Sequence, residues 1–118
     1  MSDLEQAAET EIAPWQVWWA DFTPQVGREQ AGRRPAIIVG TPFACRLPNR
    51  LAFVVPCTGT DRALPFHPPV ALERPIYAMC DQLKSISRDR LLARHSVELA
   101  AGEIENIKFV LRQMIDTR

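Results

Sequence analysis

The sequence predicts a mainly β domain finished by a C-terminal α-helix, and three observations lead there. All ten prolines fall between Pro14 and Pro75. Proline breaks helix interiors and keeps to strand ends and edges in sheets, so the first two-thirds of the chain belongs to strands and loops. Short runs of β-branched and aromatic residues punctuate that region. Beyond it, Ile104, Ile107, Leu111, Met114 and Ile115 recur at helical spacing with charged residues between them. At 118 residues and 47% hydrophobic content, the chain suffices for one domain around one core. A multidomain machine and a disordered chain are both excluded.

Residues 1–12 form an acidic leader carrying Asp3, Glu5, Glu9 and Glu11 with no Lys or Arg. It is expected to be loosely ordered or helical only in part, ahead of a single domain over 13–118. The leader lacks the basic-then-apolar pattern of a secretory signal, and apolar runs such as 36–39 are far too short to span a bilayer. A cytoplasmic protein with no membrane segment is expected. Strands are predicted over 16–22, 36–40, 51–57, 70–72 and 76–80. The runs beginning at Ala36 and Leu51 are apolar on consecutive residues and read as buried on both faces. A polar loop of about a dozen residues, 23–34, separates the first two strands, and loops of that length in a small domain are usually functional or disordered. A second loop, 58–69, carries Asp61, Arg62 and His67. Further on, a short turn of helix is expected at 88–91 and a last strand at 94–99. The final helix is read over 101–116, with acidic residues towards its start and basic ones towards its end, as the helix dipole favours.

Lys and Arg balance Asp and Glu at 14 each, yet the charges are not evenly spread. Between positions 28 and 94 there are eleven basic residues against five acidic, and ten of the eleven are arginine. The guanidinium fork matches phosphate oxygens, so this stretch reads either as a solvated surface or as a footprint for phosphate. Cys45, Cys57 and Cys80 have neither the number nor the spacing of a disulfide framework or zinc site, and Cys57 and Cys80 read as buried small hydrophobes. Dinucleotide, P-loop, zinc-protease and serine-hydrolase motifs are absent. His67 and His95 are assigned non-catalytic roles.

What remains is an ordered set. Val17, Trp18, Trp19, Ala20, Asp21 and Phe22 form an aromatic strand, and residues 27–35 then spell G-x-E-Q-x-G-x-R-P. Pro56, Cys57 and Thr58 follow, and residues 81–86 spell D-Q-x-K-S-I. At these residues the chain resembles the MazF/PemK family of toxin endoribonucleases from bacterial toxin–antitoxin pairs, over about 15–116. The resemblance implies a compact SH3-like β-barrel with a C-terminal helix, a homodimer, a cognate antitoxin, and cleavage of single-stranded RNA without metal or cofactor. It puts the family's catalytic arginine on Arg34, its threonine on Thr58, and the acidic residue of the E-Q loop on Glu29. The acidic residue after the aromatic strand falls on Asp21, which is expected to hydrogen-bond its loop rather than to catalyse. Two departures stand out: Trp15 and Gln16 occupy places where the family has Gly-Asp, and Arg33 precedes the arginine where relatives are polar and variable.

Elementary chemistry agrees with that reading. RNA supplies its own nucleophile, the 2′-OH, so a ribonuclease needs groups that hold the phosphate, stabilise added charge and move a proton. Arg34, fixed by Pro35 at the mouth of a buried strand, suits charge stabilisation or proton donation to the leaving 5′-oxygen; arginine stays protonated and is a poor base. Thr58 can donate a hydrogen bond to the same phosphate. Glu29 either accepts the 2′-OH proton or orients Arg34 and Gln30. Arg28, Gln30, Arg33, Arg62 and Lys84 are the candidate RNA contacts. Of Trp18 and Trp19, which alternate across a strand, one goes to the core, and Trp19 is taken as the stacking partner for a base. The competing reading is a CcdB-like toxin that binds DNA gyrase on the same barrel, or a non-catalytic binding module. Arg34 and Thr58 favour the nuclease.

Overall fold

The structure, a computed structural model, describes residues 11–23 and 32–116. Most of the acidic leader lies outside the described residues, as do Arg28, Glu29 and Gln30. The elements run β1 (Val17–Asp21), β2 (Arg33–Ile38), α1 (Pro42–Cys45), β3 (Leu51–Thr58), β4 (Pro69–Leu72) and β5 (Arg74–Ala78). A 3-10 turn (Cys80–Gln82), β6 (Lys84–Ser87), a second 3-10 turn (Arg88–Arg90), β7 (Leu91–Arg94) and α2 (Ala101–Met114) complete them.

The seven strands form one antiparallel sheet in the order β4-β5-β3-β2-β1-β7. The edge of β3 opposite β2 is shared: β6 pairs with its first half and β5 with its end at Cys57 and Thr58. The hydrogen-bonded path is not closed, because β4 and β7 are its ends and no ladder joins them among the described residues. The expected small barrel is therefore left open at a seam.

Alternation along the strands divides the interior into two apolar clusters. Ala20 lies on β1 and Phe22 just after it, Ala36 and Ile38 lie on β2, and Ala52 and Val54 on β3; these join Ile86 and Leu91 on one face. Val17, Ile37, Val55 and Cys57 point the other way, where β4, β5 and Ile107 of α2 cover them. The structure thus has two clusters on either side of a central sheet rather than one undivided core. Ala36, Ile37 and Ile38 are fully buried, as the unbroken apolar run implies. The run at Leu51 is not: Leu51 and Phe53 are exposed, and burial on both faces begins only at Val54. The first residues of β3 pair with β6 and alternate, Ala52 and Val54 inward and Leu51 and Phe53 outward.

Three further differences concern element limits. β7 spans Leu91–Arg94, ahead of the strand expected at 94–99, and His95 follows it with its N–H on Val17 O at 2.8 Å. β6 arises within the D-Q-x-K-S-I motif, where polar alternation hides a strand whose only buried residue is Ile86. α1 precedes Pro75, but it is a single turn with Pro42 at its start, where a missing N–H costs nothing, and Thr41 Oγ1 accepts from Ala44 N. The helical turn expected at 88–91 appears as the 3-10 turn Arg88–Arg90. No helix of the described residues is long and apolar enough to cross a membrane.

Candidate active site

Arg34 and Thr58 reach one rim of the sheet through strand register. Ala36 and Pro56 sit directly opposite each other in the β2–β3 ladder. Arg34 lies two residues before Ala36, and Thr58 two residues after Pro56. Period-two alternation therefore sends both side chains to the face that carries Ala36, Ile38 and Val54. Lys84 is paired with Val54 across β3–β6 and joins that face. Its ammonium stands over the Phe22 ring, 5.5 Å from the centroid. The Phe22 N–H in turn donates to Gly32 O at 2.9 Å, closing the neck of the loop 24–31 that holds the E-Q motif. Arg34, Thr58 and Lys84 thus share one face: Arg34 and Thr58 at adjoining ends of β2 and β3, and Lys84 at the start of β6, level with Val54 and reaching over Phe22.

Thr58 is 3% exposed, at the foot of this rim, and its Oγ1 accepts the Thr60 N–H at 3.2 Å. That bond fixes the hydroxyl oxygen while its proton remains available to donate. Asp21 behaves as the sequence suggests. Its Oδ1 accepts from Thr23 Oγ1 at 2.5 Å and from Thr23 N at 3.0 Å. These two hydrogen bonds, the side-chain one first, hold its carboxyl below the usual range, helped by Arg90 and Arg33.

Arg33 and Trp19 do not join Arg34. Arg33 is opposite Asp21, and Trp19 is opposite Pro35, so both side chains leave from the other face. The Trp19 ring stacks on His95 at 5.2 Å between centroids and remains 37% exposed. Trp18 packs on the core cluster, as one of the pair was expected to do. His95 is buried, and its Nδ1 accepts the Val97 N–H. Arg62 is exposed in the loop after Thr58, in a turn held by Asp61 Oδ1 and the Ala63 N–H at 2.8 Å. All three cysteines are free and buried.

Two basic residues escaped the sequence reading. Arg74 of β5 lies against Gly59, its guanidinium 3.6 Å from where a Cβ would stand, which brings a further cation beside Thr58. Arg90 donates through Nη1 to Asp21 O at 3.0 Å and to Thr23 O, gripping the chain as it leaves β1 for the long loop. Neither contact has a sequence signal, because each joins residues far apart in the chain. The departure at Trp15 and Gln16 also has a local explanation. Trp15 holds a left-handed backbone, φ 71°, where the family's glycine would sit without cost. Gln16 Oε1 accepts from Ala13 N at 3.1 Å and from Trp18 Nε1 at 3.0 Å, so an amide ties the turn where the family uses a carboxylate.

An open, small-barrel-like antiparallel sheet backed by a C-terminal helix, with Arg34 and Thr58 on neighbouring strands, is the fold of a class of small bacterial toxins. The chain belongs to the PemK-like, MazF-like toxins of type II toxin–antitoxin systems, matching that family over residues 13–115. It is 35% identical over 98 residues to the endoribonuclease toxin MazF of Escherichia coli K12, covering 82% of this chain and 87% of that protein. MazF from Deinococcus radiodurans has a similar crystal structure, with TM-score 0.75 and 26% identity over 87% of this chain and 94% of that one. A mycobacterial endoribonuclease in complex with its cognate antitoxin shares the fold, with TM-score 0.72 and 19% identity over 86% of this chain and 92% of that one.

Proposed function

We propose that the chain is a metal-independent endoribonuclease toxin that cuts single-stranded RNA by attack of the substrate's own 2′-OH, and that a cognate antitoxin restrains it. The placement of Arg34 and Thr58 at adjoining strand ends, with Lys84 on the same face, supports this reading. A phosphate seated there meets a guanidinium fork, a hydroxyl donor and an ammonium, which together stabilise the charge that builds as the 2′-oxygen attacks. Arg34 then stabilises the pentavalent phosphorus and is the donor nearest in kind to what the leaving 5′-oxygen needs. Glu29, on the loop whose neck closes at Phe22 and Gly32, accepts the 2′-OH proton or orients Arg34. Arg28, Gln30 and Arg62 extend the RNA contact beyond the reacting phosphate, whereas Arg33 and Trp19, on the other face, would be reached only by RNA that passes round the sheet edge. The toxin works in the cytoplasm as a homodimer. Exposed apolar side chains support self-association: Phe43 is 69% and Phe109 62% exposed, with Phe53, Met114 and Ile115 also uncovered.

The test is cleavage of a defined RNA in EDTA. Wild-type protein cuts it, and an identical strand with a 2′-deoxy residue at the scissile position stays intact. Arg34→Ala slows cutting by about 10²–10³, the usual cost of one lost donor to a developing oxyanion. Thr58→Ala loses as much or less, since it removes a neutral donor. Both variants remain folded and bind the 2′-deoxy strand. Cleavage of that strand, or complete loss of activity to chelation, overturns the mechanism. Undiminished toxicity of Arg34→Ala together with gyrase binding selects the gyrase-directed alternative.

A further inference from the structure

The loop that leaves Thr58 is tied down at its far end by a side-chain pair that no step of the proposed reaction uses. His67 is buried, its side chain only 2% exposed, and its Nε2 lies 2.8 Å from Asp81 Oδ1. Its other nitrogen, Nδ1, is buried with no hydrogen-bond partner among the described residues. A neutral imidazole fits this arrangement: Nε2–H donates to the carboxylate and Nδ1 carries a bare lone pair. Phe66 packs edge-on to the imidazole at 5.2 Å. The backbone closes around the same point, with His67 N–H donating to Leu64 O at 3.0 Å and Cys80 N–H to Phe66 O at 3.3 Å.

The position of this pair gives it a consequence. Residues 59–68 begin at Thr58 and include Arg62. The 3-10 turn Cys80–Gln82 is the step by which the chain leaves β5, which pairs with Thr58, and enters β6 at Lys84. The His67–Asp81 bond therefore joins the segment following Thr58 to the segment preceding Lys84. The β3–β6 ladder already sets Lys84 against Val54 of the strand that ends in Thr58; what the bond adds is a side-chain anchor for the 59–68 loop, whose Thr60 N–H donates to Thr58 Oγ1 at 3.2 Å. Asp81 is the exposed partner, its side chain 39% accessible, so the constraint is anchored in the core by His67 and reaches the surface through Asp81.

We propose that His67 is a positioning residue: through Asp81 it fixes the 59–68 loop against the turn before Lys84 and so holds the Thr60 N–H that orients the Thr58 hydroxyl. This rests on the ribonuclease reading. His67 touches no substrate, so its loss acts on the rate of the chemical step more than on RNA binding.

Three variants test it. His67→Leu removes the donor while keeping apolar bulk. Asp81→Ala removes the acceptor at an exposed site, where folding is not at stake. His67→Gln returns an amide N–H near the place of Nε2. Single-turnover cleavage by His67→Leu and Asp81→Ala should fall by about tenfold or more, because small misplacements of catalytic groups cost rate steeply. Affinity for a 2′-deoxy RNA should change by less than about threefold, His67→Gln should recover most of the rate, and the double variant should be no slower than either single one. Amide exchange at His67 and Cys80, whose N–H groups bond Leu64 O and Phe66 O, should accelerate in both disruptive variants. Wild-type rates in Asp81→Ala overturn the proposal, as does a parallel loss of rate and affinity that His67→Gln does not rescue. If the wild type cuts no RNA while exchange still accelerates, the tether between the loops stands and the ribonuclease reading is what fails.

Discussion

At the scale of single residues, burial decides which reactive groups take part in chemistry. Cys57 immediately precedes Thr58, yet its thiol points into the cluster beneath α2 and is fully buried. Burial, with Cys80 nearby, pushes its thiol far above the ordinary range; burial and the adjacent Asp81 push Cys80 up to about 12. The native protein should therefore resist iodoacetamide at pH 8, while the denatured chain takes up label at all three cysteines; rapid labelling of Cys57 in the native state would contradict this burial. Because the folded values are raised, the unfolded chain releases these protons first as pH climbs past 9.0, so stability holds below that point and declines above it. Asp21 has the opposite sign. Its folded value lies below 3.8 because Thr23 donates twice, so its contribution is present above 3.8 and is lost as pH falls through the folded value. Arg34 and Thr58 could be picked out of the sequence because G-x-R-P and P-C-T are local patterns. Arg74, Arg90 and the His67–Asp81 bond could not, since each contact joins segments that only the sheet brings together.

At the scale of elements, the strands with strong apolar periodicity were legible and those at the surface were not. β2 and α2 follow from their hydrophobic spacing, whereas β6, written Lys84, Ser85, Ile86 and Ser87, offers one buried residue in four. The helix also shows how an end can be held without a conventional cap. Ala100, at the N-cap, has no side-chain oxygen, but Glu103 Oε1 accepts the Ala100 N–H at 2.8 Å and Oε2 accepts the Ala71 N–H of β4 at 2.6 Å. One carboxylate thus serves the helix terminus and the sheet edge together. Half of a capping box is present, and Ala100→Ser supplies the other half by giving the Glu103 N–H an acceptor. The exposed position tolerates the change, and a gain of about 0.5–1 kcal/mol is expected, read as a higher midpoint in thermal or urea unfolding. Glu103→Ala should do the reverse and by more, because it leaves two backbone donors unpaired.

At the scale of the whole molecule, the balance of 14 basic and 14 acidic residues conceals a division of labour. The region 28–94 holds eleven basic residues against five acidic, and four acidic residues precede it in the leader. Many of those arginines are already engaged in architecture. Arg88 donates to Leu51 O and Cys45 O, Arg90 to Asp21 O and Thr23 O, and Arg50 pairs with Asp89 at 2.5 Å. Fewer cations therefore remain for RNA than composition suggests, and on the ribonuclease reading proposed above the exposed Arg62 and Arg74 add to Arg34 and Lys84 at the site. Each phosphate neutralised by such a group releases condensed counterions, so log affinity for a single strand falls against log salt by about 0.7 per contact. Binding of an uncleavable RNA should weaken steeply between 50 and 200 mM salt, on the order of tenfold or more for several contacts. Arg62→Ala should flatten the slope by roughly one contact's worth without stopping cleavage, whereas Arg90→Ala should loosen the neck of the 24–31 loop and slow cleavage while leaving the slope nearly unchanged. An unchanged slope in Arg62→Ala, or a flattened one in Arg90→Ala, would reverse this assignment of which arginines hold the fold and which hold the RNA.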